Sequence, residues 1–258
     1  MEQELKPIKY YKIQIEYDGT EFYGWQRQND DSLRTVQGEI EKALYRLFNE
    51  NITIDGSGRT DKGVHAKNQT ATFSIESTIP GSRLKYPLNS LLPDDIYIND
   101  SSEVKEGFHA RYSAKGKEYY YRFYCSEQRS PLKDRYSAYV PSDVDLDRMV
   151  IATKKLLGKH DFGAFMASGS SVKTTERIVH SIEMKKYGNE YTMYIRGNGF
   201  LYNMVRIIMG TLIEIGLGRK SIECIDLAFE TLDREVLGYT APARGLYLNK
   251  VFYDTFEN

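Results

Sequence analysis

Cysteine is nearly absent from this chain of 258 residues, with only Cys125 and Cys224. The two lie far apart and form no Cys-x-x-Cys motif, which excludes a disulfide-stapled fold and fits a reducing compartment. Histidine is scarce too, and His65, His109, His160 and His180 show no metal-ligand spacing. Seven prolines are too few for a disordered chain. Charge of neither sign dominates: the formal net of -1 argues against an indiscriminate binder of polyanions. No long apolar run exists. The most apolar stretch, Met204 to Ile215, is broken by Arg206 and Glu214 and is too short to span a bilayer. The amino terminus, Met-Glu-Gln-Glu-Leu-Lys, is too charged for a signal peptide. These absences leave a cytoplasmic protein, off the membrane, as the expectation.

What is present is a 41% hydrophobic composition over a length sufficient for one large domain or two ordinary ones. Tyrosine is abundant, 21 copies against one tryptophan; most of these suit strands. Charge is unevenly spread. Residues 105–135 hold eight Lys/Arg against four Asp/Glu, and residues 150–186 hold seven against three. A basic centre can track a polyanion while the remainder stays acidic, although a solvated surface explains the charge equally well.

Alternation of Tyr11, Ile13, Ile15 and Tyr17 predicts a strand closed by a turn at Asp18-Gly19. Val36, Ile40, Leu44, Leu47 and Phe48 share one helical face, with Thr35 as the cap. A short strand over Ile52 to Ile54, a strand over 69–76, a short helix capped by Ser82, and a strand over 96–104 complete the first half. The second half repeats that order. It has a strand from Tyr119, a helix near 145–157 ending at Gly158, and strands near 178–187 and 191–197 around Gly188-Asn189. Helices near 200–215 and 221–232, the latter capped by Ser221, lead to a last strand over 246–253. Each half, 1–107 and 108–258, thus reads β-α-β-β-α-β, the split βαβ arrangement. The expected class is α/β (α+β). Two ferredoxin-like halves would form a pseudo-symmetric, mainly antiparallel sheet, with helices on one face and a central cleft. The middle hairpin is tight in the second half, whereas in the first it runs from about Asp55 to Asn68, a length that needs a use.

That insertion holds Gly-Ser-Gly-Arg-Thr-Asp-Lys-Gly-Val-His-Ala, Gly56 to Ala66. Gly56, Gly58 and Gly63 provide backbone freedom, and Asp61 stands between Arg59 and Lys62. Neighbouring cations favour an ionised carboxylate, suited to a nucleophile or an electrostatic stabiliser. A structural Asx turn is the bland alternative. Arg206, amid Val205 and Ile207-Ile208, needs a carboxylate partner if buried, and Asp61 is one candidate; a snorkelling surface arginine is the other reading. Residues 108–121 mix cations with aromatics, as base-stacking surfaces do, and Tyr119 opens that strand. Phe22, Tyr23, Trp25, Gln26 and Arg27 form a second aromatic-polar cluster, for which core packing serves as well.

Taken in order, these segments resemble the tRNA pseudouridine synthase A family. The matching stretches are Tyr17 to Gln26, Gly58 to Ala66, Phe108 to Arg111 through Lys117-Glu-Tyr119, Asp161-Phe162 to Phe165, Gly199 to Arg206, and Ala241-Pro-Ala-Arg-Gly-Leu246. They run from one end of the chain to the other. The resemblance implies an isomerase that converts uridine to pseudouridine at positions 38, 39 and 40 of the tRNA anticodon stem-loop. It implies a homodimer that uses no cofactor and no metal. It also implies Asp61 as catalytic nucleophile, Tyr119 as the ring that stacks on the target base, Arg206 as the cation paired with the aspartate, and Arg59 as a contact to the flipped nucleotide. Asn203 departs from the residues common before Met-Val-Arg in that family. Two other classes compete on the residues alone. One is a non-catalytic RNA-binding module; the other is a metal-dependent phosphoesterase using Asp61 with Asp18 or Asp55.

Overall fold

The longer strands and helices follow one another along the chain in the order that the hydrophobic periodicity predicts, with short elements added between them. The computed structural model describes residues 6–30, 32–169 and 172–254. They form two compact units. The first runs up to Lys115 and takes in the residues from Leu248 on; the second spans Gly116–Tyr247.

In the first unit, β1 (Ile8–Tyr17) buries Tyr11, Ile13, Ile15 and Tyr17 on one side. Helix α1 (Val36–Phe48) starts at Thr35, whose hydroxyl accepts from Gly38 N, and stops at Asn49 with φ 58°. Burying Val36, Ile40 and Leu44 along its inner face contributes about 1.5–3 kcal/mol each. Strand β2 (Asp55–Gly56), β3 (His65–Glu76), α2 (Lys85–Asn89) and β4 (Ile96–Glu103) follow. The order is β4-β1-β3, antiparallel, with β2 on β3. Pairing of β1 with β3 shifts register between Ile15 and Tyr17, where β3 carries one extra residue, and Tyr17 stays on the buried side of β1.

The second unit holds β5 (Gly116–Cys125), α3 (Pro131–Asp134), β6 (Ala138–Val140), α4 (Leu146–Lys154), β7 (Gly158–Asp161), β8 (Glu176–Tyr187), β9 (Glu190–Gly197), α5 (Met204–Gly216) and α6 (Cys224–Thr231). Strands run β5-β9-β8-β7, antiparallel, and β6 joins β5 in parallel. Tyr119, Tyr121 and Phe123 are buried on β5, opposite Ile195, Met193 and Tyr191. Strand β10 (Leu246–Phe252) ends the regular structure. The architecture is α/β with a mainly antiparallel sheet.

Several local expectations are corrected. Ile52 to Ile54 form no strand. Ile54 N donates instead to the Glu41 carboxylate (3.1 Å), and pairing with β3 begins only at Asp55. Ser82 does not cap α2; Lys85 N donates to Ser101 Oγ, brought over by β4 (3.0 Å). Ser221 is not the α6 cap, a position held by Glu223. Helix α5 begins at Met204 rather than 200 because Asn203 adopts φ 60°. The short elements α3, β6 and β7 carry no sustained period and were invisible to it.

Burial pushes the phenols of Tyr17 and Tyr121 above their ordinary value and that of Tyr253 up to about 12. A folded pKa above the unfolded value of 10.0 favours the neutral form in the fold. This stability is fully present below that pH and is lost as pH rises through the folded values. In an alkaline titration followed by near-ultraviolet absorbance, these phenols should ionise last, together with unfolding. Tyr17→Phe should make the alkaline loss of stability shallower, and an unchanged slope would contradict the assignment.

Candidate active site

The loop between β2 and β3 is fastened at each end and in the middle. At its start, Ser57 N donates to Thr70 O (2.8 Å), and Ser57 Oγ donates to Gln69 Oε1 (2.6 Å). Gln69 in turn donates through Nε2 to Gly58 O (2.8 Å). In the middle, Thr60 is buried. Its hydroxyl bonds the Tyr17 hydroxyl (2.7 Å), and its carbonyl accepts from Trp25 N (3.0 Å). At the end, Val64 N donates to Asp61 O (3.1 Å), closing a turn in which Gly63 has φ 77°. Of the three loop glycines, Gly63 alone uses a positive φ; Gly56 instead leaves room for the Trp25 ring.

The segment 22–25 acts as a splint. Phe22 O accepts from Gly63 N (3.3 Å), and Gly24 O and Trp25 O accept from Val36 N (3.2 Å) and Gln37 N (3.0 Å). Two otherwise orphan donors at the α1 N-terminus are thereby satisfied. Gly24 has φ 93°, and a Cβ there would stand 2.6 Å from Thr60 O. Only glycine allows that approach.

Asp61 is half-buried on this loop, and its charge adds to burial in raising the Tyr17 phenol. Its sequence neighbours turn elsewhere. Arg59 donates through Nε to Gln26 Oε1 (3.1 Å), and Lys62 Nζ lies 3.8 Å from the centroid of the Tyr23 ring. The aspartates that a phosphoesterase would recruit have other partners. Asp18 Oδ1 accepts from Thr20 N and Thr20 Oγ1, and Asp55 Oδ2 lies 3.6 Å from His109 Nε2.

In the second unit, Tyr119 on β5 is 8% exposed and meets Phe200 edge-on at 5.2 Å. Arg206, on the first turns of α5, is half-buried. Its Nε donates to Ala241 O (2.7 Å) and Nη1 to Asn203 Oδ1 (2.8 Å), two bonds that help orient the guanidinium. Ala241 N returns a bond to Arg206 O (3.0 Å). Asn203 thus takes the left-handed conformation that starts α5 and also holds its arginine. Part of the basic segment 105–135 is neutralised locally: Arg122 and Lys133 pair with Glu190, and Arg129 with Asp134.

The residues that sequence reasoning missed are the supports: Tyr17, Thr60 and Gln69 around the loop, Phe200 beside Tyr119, and Ala241 beside Arg206. A polar pair one turn apart, Gln37 and Glu41, interrupts the apolar face of α1 and was the available signal of further support.

The tRNA pseudouridine synthase family model matches residues 13–113 and 152–254. The tRNA pseudouridine synthase A 2 of Clostridium tetani is 45% identical over 243 residues, covering 94% of this chain and 98% of that protein. The tRNA pseudouridine synthases A of Acetivibrio thermocellus and Bacillus licheniformis are 46% and 45% identical, each with the same two coverages. Among solved structures, the archaeal box H/ACA sRNP Nop10-Cbf5 complex is similar at a TM-score of 0.38 and 13% identity, over 79% of this chain and 43% of that one. That likeness is too low to bear on the site. The chain belongs to the tRNA pseudouridine synthase A family. It is an isomerase that converts uridine to pseudouridine in tRNA.

Gly24→Ala should lower stability by about 2 kcal/mol or more, because strain at positive φ adds to the clash with Thr60 O. Thr60→Val, which leaves the fold's packing intact, should cost about 1 kcal/mol. Urea denaturation checks both; wild-type stability in Gly24→Ala would show that the splint does not hold the loop.

Proposed function

We propose that this isomerase acts on uridines 38, 39 and 40 of the tRNA anticodon stem-loop, with the Asp61 carboxylate as nucleophile. The supporting observation is the placement of Asp61. A carboxylate is carried on a turn whose preceding residue, Thr60, is fastened to β1 and to the splint, so it is presented with little freedom to move. Catalysis by an oriented charged group gains from such restraint.

The reaction breaks the bond from C1′ to N1 and forms one from C1′ to C5. N1 gains a proton and C5 loses one, so no redox partner enters the balance. A base within a stem is out of reach, and the target nucleotide is flipped out before the chemistry. Tyr119 stacks on the extruded base, which offsets lost helical stacking. Arg59 and Arg206 bind the substrate, supplying positive charge to a polyanion that the near-neutral protein as a whole attracts only weakly. The protein works as a cytoplasmic homodimer, and the second copy adds to the basic surface presented to tRNA.

Incubation with unmodified tRNA transcripts, followed by mapping of pseudouridine by position, should yield product at 38, 39 and 40. Asp61→Asn should abolish product while tRNA binding stays within a fewfold of wild type; turnover near wild type in that variant would eliminate the nucleophile assignment. Tyr119→Phe keeps the ring and should cost less than Tyr119→Ala. Equal losses would assign the role to the hydroxyl.

A further inference from the structure

Helix α1 buries two polar side chains where its pattern calls for apolar ones: Gln37 is 4% exposed and Glu41 is 8% exposed. Burial of an amide and a carboxylate is costly unless their hydrogen bonds are met. Gln37 meets all four. Its Oε1 accepts from Arg27 N (3.0 Å) and Gln26 Nε2 (2.9 Å), and its Nε2 donates to Glu41 Oε1 (2.9 Å) and Ile54 O (3.3 Å). Arg27 N can only donate and Ile54 O can only accept, so the Gln37 amide has one permitted orientation. Gln26 must then turn its NH2 towards Gln37 and its oxygen outward. That oxygen receives Arg59 Nε (3.1 Å). The far end is equally constrained. Glu41 Oε1 also accepts from Ile54 N (3.1 Å), and Arg27 Nη1 stands 3.2 Å from Glu41 Oε2 as an ion pair without hydrogen-bond alignment.

A polar chain of one fixed direction therefore runs from the buried face of α1 through Gln26 to Arg59. Arg59 is exposed, and among the described residues its guanidinium makes only the Nε bond. Held by Nε, the group keeps its two Nη nitrogens as an open fork, the geometry that grips a phosphate in bidentate fashion. Arg59 stands two residues before Asp61, on the same fastened loop. We infer that Gln26 is a positioning residue for the known reaction. It orients the Arg59 fork onto a backbone phosphate beside the target uridine, and Gln37 and Glu41 lock Gln26 in the required sense. This inference rests on the reading that Arg59 contacts the substrate.

The test is a double-mutant cycle on initial rates of pseudouridine formation in unmodified tRNA transcripts, using Gln26→Met, Arg59→Met and the double variant. Gln26→Met keeps volume and removes both bonds. It should raise KM about tenfold, leave kcat within about twofold and leave the thermal midpoint within a few degrees of wild type. In the Arg59→Met background the same change should add nothing, because its only route of action has gone. Arg59→Met should also make the salt dependence of kcat/KM shallower by about one phosphate contact, and Gln26→Met should share part of that change. Gln26→Glu serves as the second variant. Its carboxylate faces an amide oxygen of Gln37 that cannot turn away, and it competes with phosphate for the guanidinium. It should impair kcat/KM at least as much as Gln26→Met. Losses that multiply in the double variant would overturn the positioning role, as would a Gln26→Met enzyme equal to wild type while Arg59→Met is impaired. If Arg59→Met itself has no effect, the reading of Arg59 as a substrate contact fails first, and the two failures are told apart.

Discussion

A single buried threonine, Thr60, ties the candidate nucleophile to the rest of its unit. Its hydroxyl is taken by Tyr17 from the sheet, and its carbonyl by Trp25 from the splint that also closes the N-terminus of α1. These are modest bonds, about 1 kcal/mol each in net terms, but they act on one residue from two independent elements. Asp61 follows directly. A carboxylate on a free eight-residue loop would spend most of its time misplaced; on this loop, the turn from Asp61 to Val64 begins at an anchored point.

The surrounding features serve that constraint. Tyr17, on the buried side of β1 at the register shift with β3, reaches the loop through its hydroxyl. Gly24 gives up its side chain so that two backbones can touch. Gln69 spans the loop's first residues, accepting from Ser57 and donating to Gly58. None of these groups needs to meet substrate. Their contribution is to lower the conformational entropy left to the Asp61 segment.

Neutral acceptors take part in orienting both Arg59 and Arg206. Arg59 is held through Nε by an amide oxygen, and Arg206 through Nε by a backbone carbonyl and through Nη1 by Asn203. At Arg59, whose guanidinium makes only this bond among the described residues, a neutral acceptor fixes direction without cancelling charge, which stays available to an anionic ligand. An ion pair in the same place would fix direction and neutralise charge together. Asp18 and Asp55 are engaged in a local cap and a contact to His109.

Much of this was legible in the residues. Alternation in β1, the capped apolar face of α1, the Gly188-Asn189 hairpin and the long Asp55 to Asn68 connection follow from period and turn chemistry, because those signals are local and repeated. The loop singled itself out by glycines around a carboxylate, and the ordered motifs carried the family. Tertiary structure decided which partner each polar group chose. Ile54 N went to Glu41 and not to a strand, Lys85 N went to Ser101 and not to Ser82, and Arg59 and Lys62 turned to Gln26 and Tyr23 and not to Asp61. A hydrogen bond depends on a few tenths of an ångström between groups far apart in the chain. Hydrophobic pattern reports which face is buried, but it is silent on what waits there.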